Sequence, residues 1–261
     1  MNISTKRNFT VGFLALFICA CLALPSSLSA QEVTITGKEL WAKTIAYHDP
    51  QGKWAAFSGK VHLVTTFSNG TFGEEELEVR KPEDFYQSTR VAGNVKAVKG
   101  VRNGACFNAV DGNKPSAAQI EEYSLDCENV LQFMKEHHAC HLGLPMELKL
   151  HGMEAEGKVI SENFQGRKCY ALKLVGKPGV VKHPYYAGTW ILYIDPVTYA
   201  MRGMRVQTEA FKAMGFYNCY IVAIGELEVG GIKMPQIRNY FREDDSYAVT
   251  DAFTLVKEEK K

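Results

Sequence analysis

The feature that most constrains this chain is a change of period near residue 60. Val61, Leu63, Thr65 and Phe67 alternate with Lys60, His62, Val64 and Thr66, and Asn69-Gly70 returns the chain through Thr71 to Arg80. Alternation about an Asn-Gly pair specifies an antiparallel hairpin with one apolar face. The hairpin also accounts for the formal glycosylation sequon at Asn69, and Glu74 to Glu76 are expected on a solvated strand face. Further runs follow at Phe85 to Val91, Val95 to Val101 and Ala105 to Val110, separated by Gly93-Asn94 and Asn103-Gly104. Beyond residue 150 the pattern resumes. Val159 to Phe164 and Lys168 to Val175 turn at Gln165-Gly166, and Thr189 to Ile194 returns through Asp195-Pro196 as Ala200 to Thr208. Phe216 to Val229 and Ile232 to Arg242 pair about Gly230-Gly231, and Tyr247 to Val256 is the last strand. A sheet of roughly a dozen strands must curl or close. The expected fold is therefore β-rich α+β: a large curved antiparallel sheet, an open half-barrel, with helices against the concave face.

Three helices are expected, all within the first 143 residues. Thr36-Gly37-Lys38-Glu39 is a capping box opening a helix to His48, and Ser116-Ala117-Ala118-Gln119 opens a short one to Tyr123. The best-delimited helix starts at Asp126, keeps helical spacing through Val130, Leu131, Met134, His138 and Leu142, and stops at Gly143 and Pro145. Met146, Leu148 and Leu150 then alternate and predict a strand.

Lys6 and Arg7, the apolar run Val11 to Leu24 and the small residues up to Ala30 describe a secretory signal peptide over residues 1–30. The apolar run is short of the roughly 20 residues that a membrane span needs. Cys21, preceded by Ile18-Cys19-Ala20, gives the rival reading of a lipid-anchored protein. Residues 31–261 are expected as a single domain, in the periplasm or at the cell surface, with no transmembrane span. Loss of Lys6 and Arg7 takes the net formal charge of +1 to −1, which offers no electrostatic reason to bind nucleic acid. Of Cys106, Cys127, Cys140, Cys169 and Cys219, the first two are the preferred disulfide, at about 3 kcal/mol of stabilisation. The odd number leaves at least one thiol free or paired between chains, and Cys169 and Cys219 read as small buried residues.

The runs YHDPQGKW from Tyr47, GLPMEL from Gly143, TWILYIDPVTYAMRGMRV from Thr189 and GGIKMPQIRNYF from Gly230 together resemble an uncharacterised family of exported proteins of Gram-negative envelopes. That family is similar to the lipoprotein-carrier (LolA/LolB-like) fold. The resemblance implies an unclosed antiparallel barrel whose concave face holds helices and an apolar cavity. It implies no reaction, and HHACH, from His137 to His141, stands where the family pattern is mostly aromatic.

Two kinds of chemistry compete for the central helix. His137 and His141 lie four apart on one face and Cys140 nearly joins them, a partial zinc-ligand set that would need His48 or His151 from elsewhere. The Glu of HExxH is missing, and histidines near a helix C-terminus also complement its dipole. His48 with Asp49, beside Trp54, reads either as a general base with its carboxylate or as a helix end before an Asp-Pro turn. GxSxG, P-loop, GxGxxG and CxxC motifs are absent. The other chemistry is apolar: Phe133, Met134, Met146, Trp190, Tyr193, Met201 and Met204 are adaptable cavity walls or ordinary core. Trp190, Leu192 and Ile194 share one strand face, and Ile191 and Tyr193 the other.

The first expectation is a carrier or binding protein for a lipid, a lipoprotein acyl chain or another hydrophobic molecule. Phe133, Met134, His138, Leu142, Met146, Trp190 and Tyr193 would bind the ligand, with no catalytic residue and no cofactor. The alternatives are a zinc-dependent hydrolase using His137, His138 and His141, with Cys140 as a further ligand, and an envelope scaffold with a filled core.

Overall fold

The computed structural model describes residues 33–256; the expected signal over 1–30 and the tail 257–261 lie outside the described residues. After α1 (Gly37–His48), β1 (Ser58–Phe67), β2 (Phe72–Arg80), β3 (Phe85–Ala92), β4 (Val95–Arg102) and β5 (Ala105–Val110) form a meander. A helical section follows, with α2 (Ala117–Glu122), α3 (Cys127–Asn129), a π-helical turn (Val130–Met134), α4 (Lys135–Gly143) and α5 (Met146–Leu150). The second half carries β6 (Glu154–Ala155), β7 (Ile160–Phe164), β8 (Arg167–Gly176), β9 (Gly188–Ile194), β10 (Met201–Thr208) and α6 (Glu209–Ala213). It ends with β11 (Cys219–Ile224), β12 (Leu227–Val229), β13 (Ile232–Met234), β14 (Ile237–Phe241) and β15 (Tyr247–Leu255).

Thirteen strands form one antiparallel sheet in the order β5-β4-β3-β2-β1-β15-β14-β11-β10-β9-β8-β6, with β7 also on β8. The last strand inserts between β1 and β14 and so joins the two halves. The terminal strands β5 and β6 do not pair, and the sheet remains open, as the alternation predicts. Register fixes the inner face as one continuous set. Val101 opposes Tyr86, Tyr86 opposes Val79, and Leu63 opposes Phe253. In the other half Leu174 opposes Trp190, which opposes Val206. The helices cover this face, and two apolar clusters fill most of the space, one around Trp190 and one around Trp54.

The capping boxes at Thr36 and Ser116 form as expected, and Asp126 accepts the amides of Glu128 and Asn129. Four expectations are corrected. Residues 146–150 form α5 and no strand: Met146, Glu147 and Leu148 are consecutive and all buried, which a two-residue period cannot achieve. Helices also occur after residue 143, because α6 is capped by Thr208 and buries Phe211. The hairpin about Gly230-Gly231 divides: β11 and β14 stay in the main sheet, while β12 and β13 form a separate ribbon. Its Val229, Ile232 and Met234 pack with Trp54 and Phe57, a gain in burial that continuing the flat hairpin would forgo. Finally, Glu75 is not on a solvated face; it shares the inner face with Leu77 and Val79.

Gly143 shows how closely the helix end meets the turn of residues Trp54–Ala56 that precedes β1. A Cβ there would lie 1.9 Å from Cζ2 of Trp54.

Candidate ligand cavity

The helix over residues 127–143 lies above an unfilled part of the inner face. The disulfide between Cys106 and Cys127 forms and ties the start of the helix to the edge strand β5, while Cys140, Cys169 and Cys219 are buried free thiols. The cavity beneath has a volume of about 370 Å³. The strand period delivers Leu63, Thr65 and Phe67 to it from β1, and Val249 and Asp251 from β15. The helical period delivers Asn129, Phe133 and His137, with Met134 and His138 one position further round. Phe211, Met214 and Phe216, in and just after α6, complete the apolar wall.

The floor is polar. Tyr86 places its hydroxyl 2.6 Å from Nδ1 of His138, and Tyr185 lies 3.1 Å from Nδ1 of His137. Tyr240 lies 3.1 Å from Nδ1 of His141 and donates to Asp251 at 2.9 Å, and Thr65 donates to the other Asp251 oxygen at 2.7 Å. Burial lowers the pKa of His137, His138 and His141, and for His138 the nearby Glu75 and Asp251 only partly offset it. These imidazoles are therefore neutral near pH 7. Glu75 moves the other way from what its burial alone would give: the Coulombic attraction of His138 in its protonated form, the Ser88 hydroxyl, Lys99 and Arg90 hold its carboxyl below the usual range.

Of the residues expected to bind a ligand, Phe133, Met134 and His138 line this cavity. Leu142 and Met146 are packed in the cluster around Trp54, and Trp190 is fully buried among Tyr185, Tyr186 and Phe211. Tyr193 sits on the opposite face of the sheet, stacked on Phe164 at 3.9 Å, because strand alternation separates it from Trp190. Met201 and Met204 are core. Sequence reasoning missed Glu75, Lys99, Tyr240 and Asp251, all lining the cavity. A signal for them existed. Lys99 is in phase with the buried Ala97 and Val101, Glu75 with Leu77 and Val79, and Asp251 with Phe253.

Of the alternative zinc set, His137 and His141 come together with ring centroids 4.4 Å apart, but among the described residues no third ligand joins them. Both ring nitrogens of His141 face tyrosine hydroxyls, and Cys140 is fully buried in the apolar core, which pushes its thiol well above the ordinary range. Among the described residues, the only three side chains with ligand atoms within 4.8 Å of one another are Glu136, Glu147 and His151. They line a second cavity of about 180 Å³. The carboxylates are engaged internally: Glu147 accepts from Lys81 at 2.7 Å and from the Trp54 indole, and Nε2 of His151 lies 3.2 Å from Glu147, while Nδ1 of His151 has no partner among the described residues. Tyr186 donates to Glu136 at 3.1 Å. Burial works to raise the Glu147 carboxyl, but the His151, Lys81 and Trp54 hydrogen bonds prevail and bring it down to about 2.

His48 belongs to neither cavity. Its Nε2 accepts from the Met201 amide at 3.0 Å, so its Nδ1 donates to the Lys233 carbonyl, 2.6 Å away. Asp49 caps the following turn by accepting the amides of Lys53 and Trp54. The helix-end reading therefore describes both residues.

An open antiparallel sheet with a helix laid over an apolar-walled cavity defines the class of protein. The chain belongs to the family of unknown function DUF6503, which matches residues 12–259. Among solved structures it is similar to a LolA superfamily protein from Nitrosomonas europaea, with 10% identity, TM-score 0.48, and coverage of 86% of this chain and 96% of that one. It is also similar to a DUF1329 family protein from Desulfovibrio piger, with 10% identity, TM-score 0.40, and coverage of 84% and 90%. No curated protein matches the sequence.

Proposed function

We propose that this chain is an exported carrier or binding protein that shelters the apolar part of a lipid, a lipoprotein acyl chain or a similar hydrophobic ligand. The observation that carries the reading is the cavity of about 370 Å³ walled by Phe133, Met134, Phe211, Met214 and Phe216 over a small polar floor. That size falls within the roughly 300–1,000 Å³ of small-ligand sites, and apolar walls with few convergent polar groups are their usual make-up. Methionines add adaptability to a guest of variable length. Export is supported by the basic, apolar and small-residue pattern of residues 1–30 and by the Cys106–Cys127 bridge, which persists in an oxidising compartment. Among the described residues no helix is long and apolar enough to cross a membrane.

Native mass spectrometry of the purified protein tests the reading. The expected spectrum contains adducts of acyl-lipid mass that Phe133→Asp and Met214→Asp reduce. A bare mass before and after incubation with phospholipid micelles would overturn it.

A further inference from the structure

Around the cavity the acceptors are satisfied and the donors are not. One Glu75 oxygen accepts from Ser88 and the other from Arg90 at 2.7 Å. The two Asp251 oxygens accept from Thr65 and Tyr240. Lys99 differs. Its residue is 8% exposed and lines the cavity, yet its ammonium donates only to the Ser124 carbonyl, at 3.2 Å, and among the described residues it makes no close ion pair, its attraction to Glu75 acting without a hydrogen bond between them. An ammonium has three N–H donors, so most of its capacity is unused.

Arg238 repeats the pattern one strand away from Asp251, its cross-strand neighbour. It is fully buried and donates to the His141 carbonyl, while its Nε and Nη1 have no partner. Three cations, Arg90, Lys99 and Arg238, thus stand against two carboxylates, Glu75 and Asp251, beside neutral imidazoles. The unmet demand is for an acceptor bearing negative charge.

Resting on the reading of the cavity as an acyl-chain site, we propose that its ligand ends in one anionic group, a carboxylate or a phosphate. Lys99 receives that group, with Arg90 beside it, while the chain lies against Phe133, Met134, Met214 and Phe216. The ligand is then a long-chain acid or an anionic lipid, and the selectivity resides in the sheet, not in the helix.

Calorimetric titration with four amphiphiles of one chain length, dodecanoate, dodecyl phosphate, dodecanol and dodecyltrimethylammonium, tests this. The expected result is that one or both anions bind at least about tenfold more tightly than the alcohol, as one charge-assisted hydrogen bond implies, and the cation most weakly. The stronger of the two anions tells a fatty acid from a phospholipid source. Lys99→Met should bring the anions down to the level of the alcohol, and Lys99→Arg should keep the preference. Equal affinity for alcohol and anions, or a preference that survives Lys99→Met, would overturn the headgroup assignment while leaving the cavity reading intact. No binding of any of the four overturns both.

Discussion

The Tyr86 hydroxyl on β3 lies 2.6 Å from Nδ1 of His138 on α4, and both residues are buried. This bond joins the sheet to the helix that roofs the cavity. Tyr86→Phe keeps the ring and leaves His138 with an unpaired nitrogen in the interior. The expected cost is about 1–3 kcal/mol, read as a lower urea midpoint with an unchanged slope. An unaltered midpoint would show that the pair does not hold the helix.

Gly143 touches Trp54 so closely that no side chain fits between them. Gly143→Ala should destabilise the fold by about 1–3 kcal/mol, because either the helix end or the indole must move. Thermal denaturation followed by tryptophan fluorescence measures it, and a melting temperature at or above that of the parent would contradict the contact.

Glu147 is buried, and its carboxyl lies at about 2 against the ordinary 4.5. Since the folded value is depressed, its contribution is present above pH 4.5 and is lost as pH falls toward 2. That contribution is on the order of 3 kcal/mol. Glu147→Gln should therefore be less stable than the parent at neutral pH, with the gap narrowing in that acid window; a gap independent of pH would refute the assignment.

The buried histidines act at higher pH. His48, His137, His138 and His141 all have pKa values lowered by burial from the ordinary 6.5. Above 6.5 they are neutral whether the chain is folded or not. Below it the unfolded chain takes up protons first, so stability falls as pH drops from 6.5 toward the folded values. Guanidinium unfolding at about pH 7.5 and about pH 5.5 should show the lower stability at the acid end. Equal stability at both would mean that these rings are protonated in place.

How much of this was legible in the sequence follows from range. The alternation of Val61, Leu63 and Thr65, the turns at Asn69-Gly70 and Gln165-Gly166 and the capping boxes at Thr36 and Ser116 are set within a few residues, by side-chain period and local hydrogen bonds. They determined an open antiparallel sheet with helices on one face. The Cys106–Cys127 bridge was legible for the same reason, since it joins a strand end to the helix start that follows. Tertiary structure alone decided which strand face is inner, and therefore that Trp190 is core while Tyr193 packs on the outside. It also decided that β15 inserts beside β1, which brings Asp251 opposite Thr65, 186 residues earlier in the chain. Local preference cannot specify such a pairing, because its free energy comes from burying surfaces that are distant in sequence.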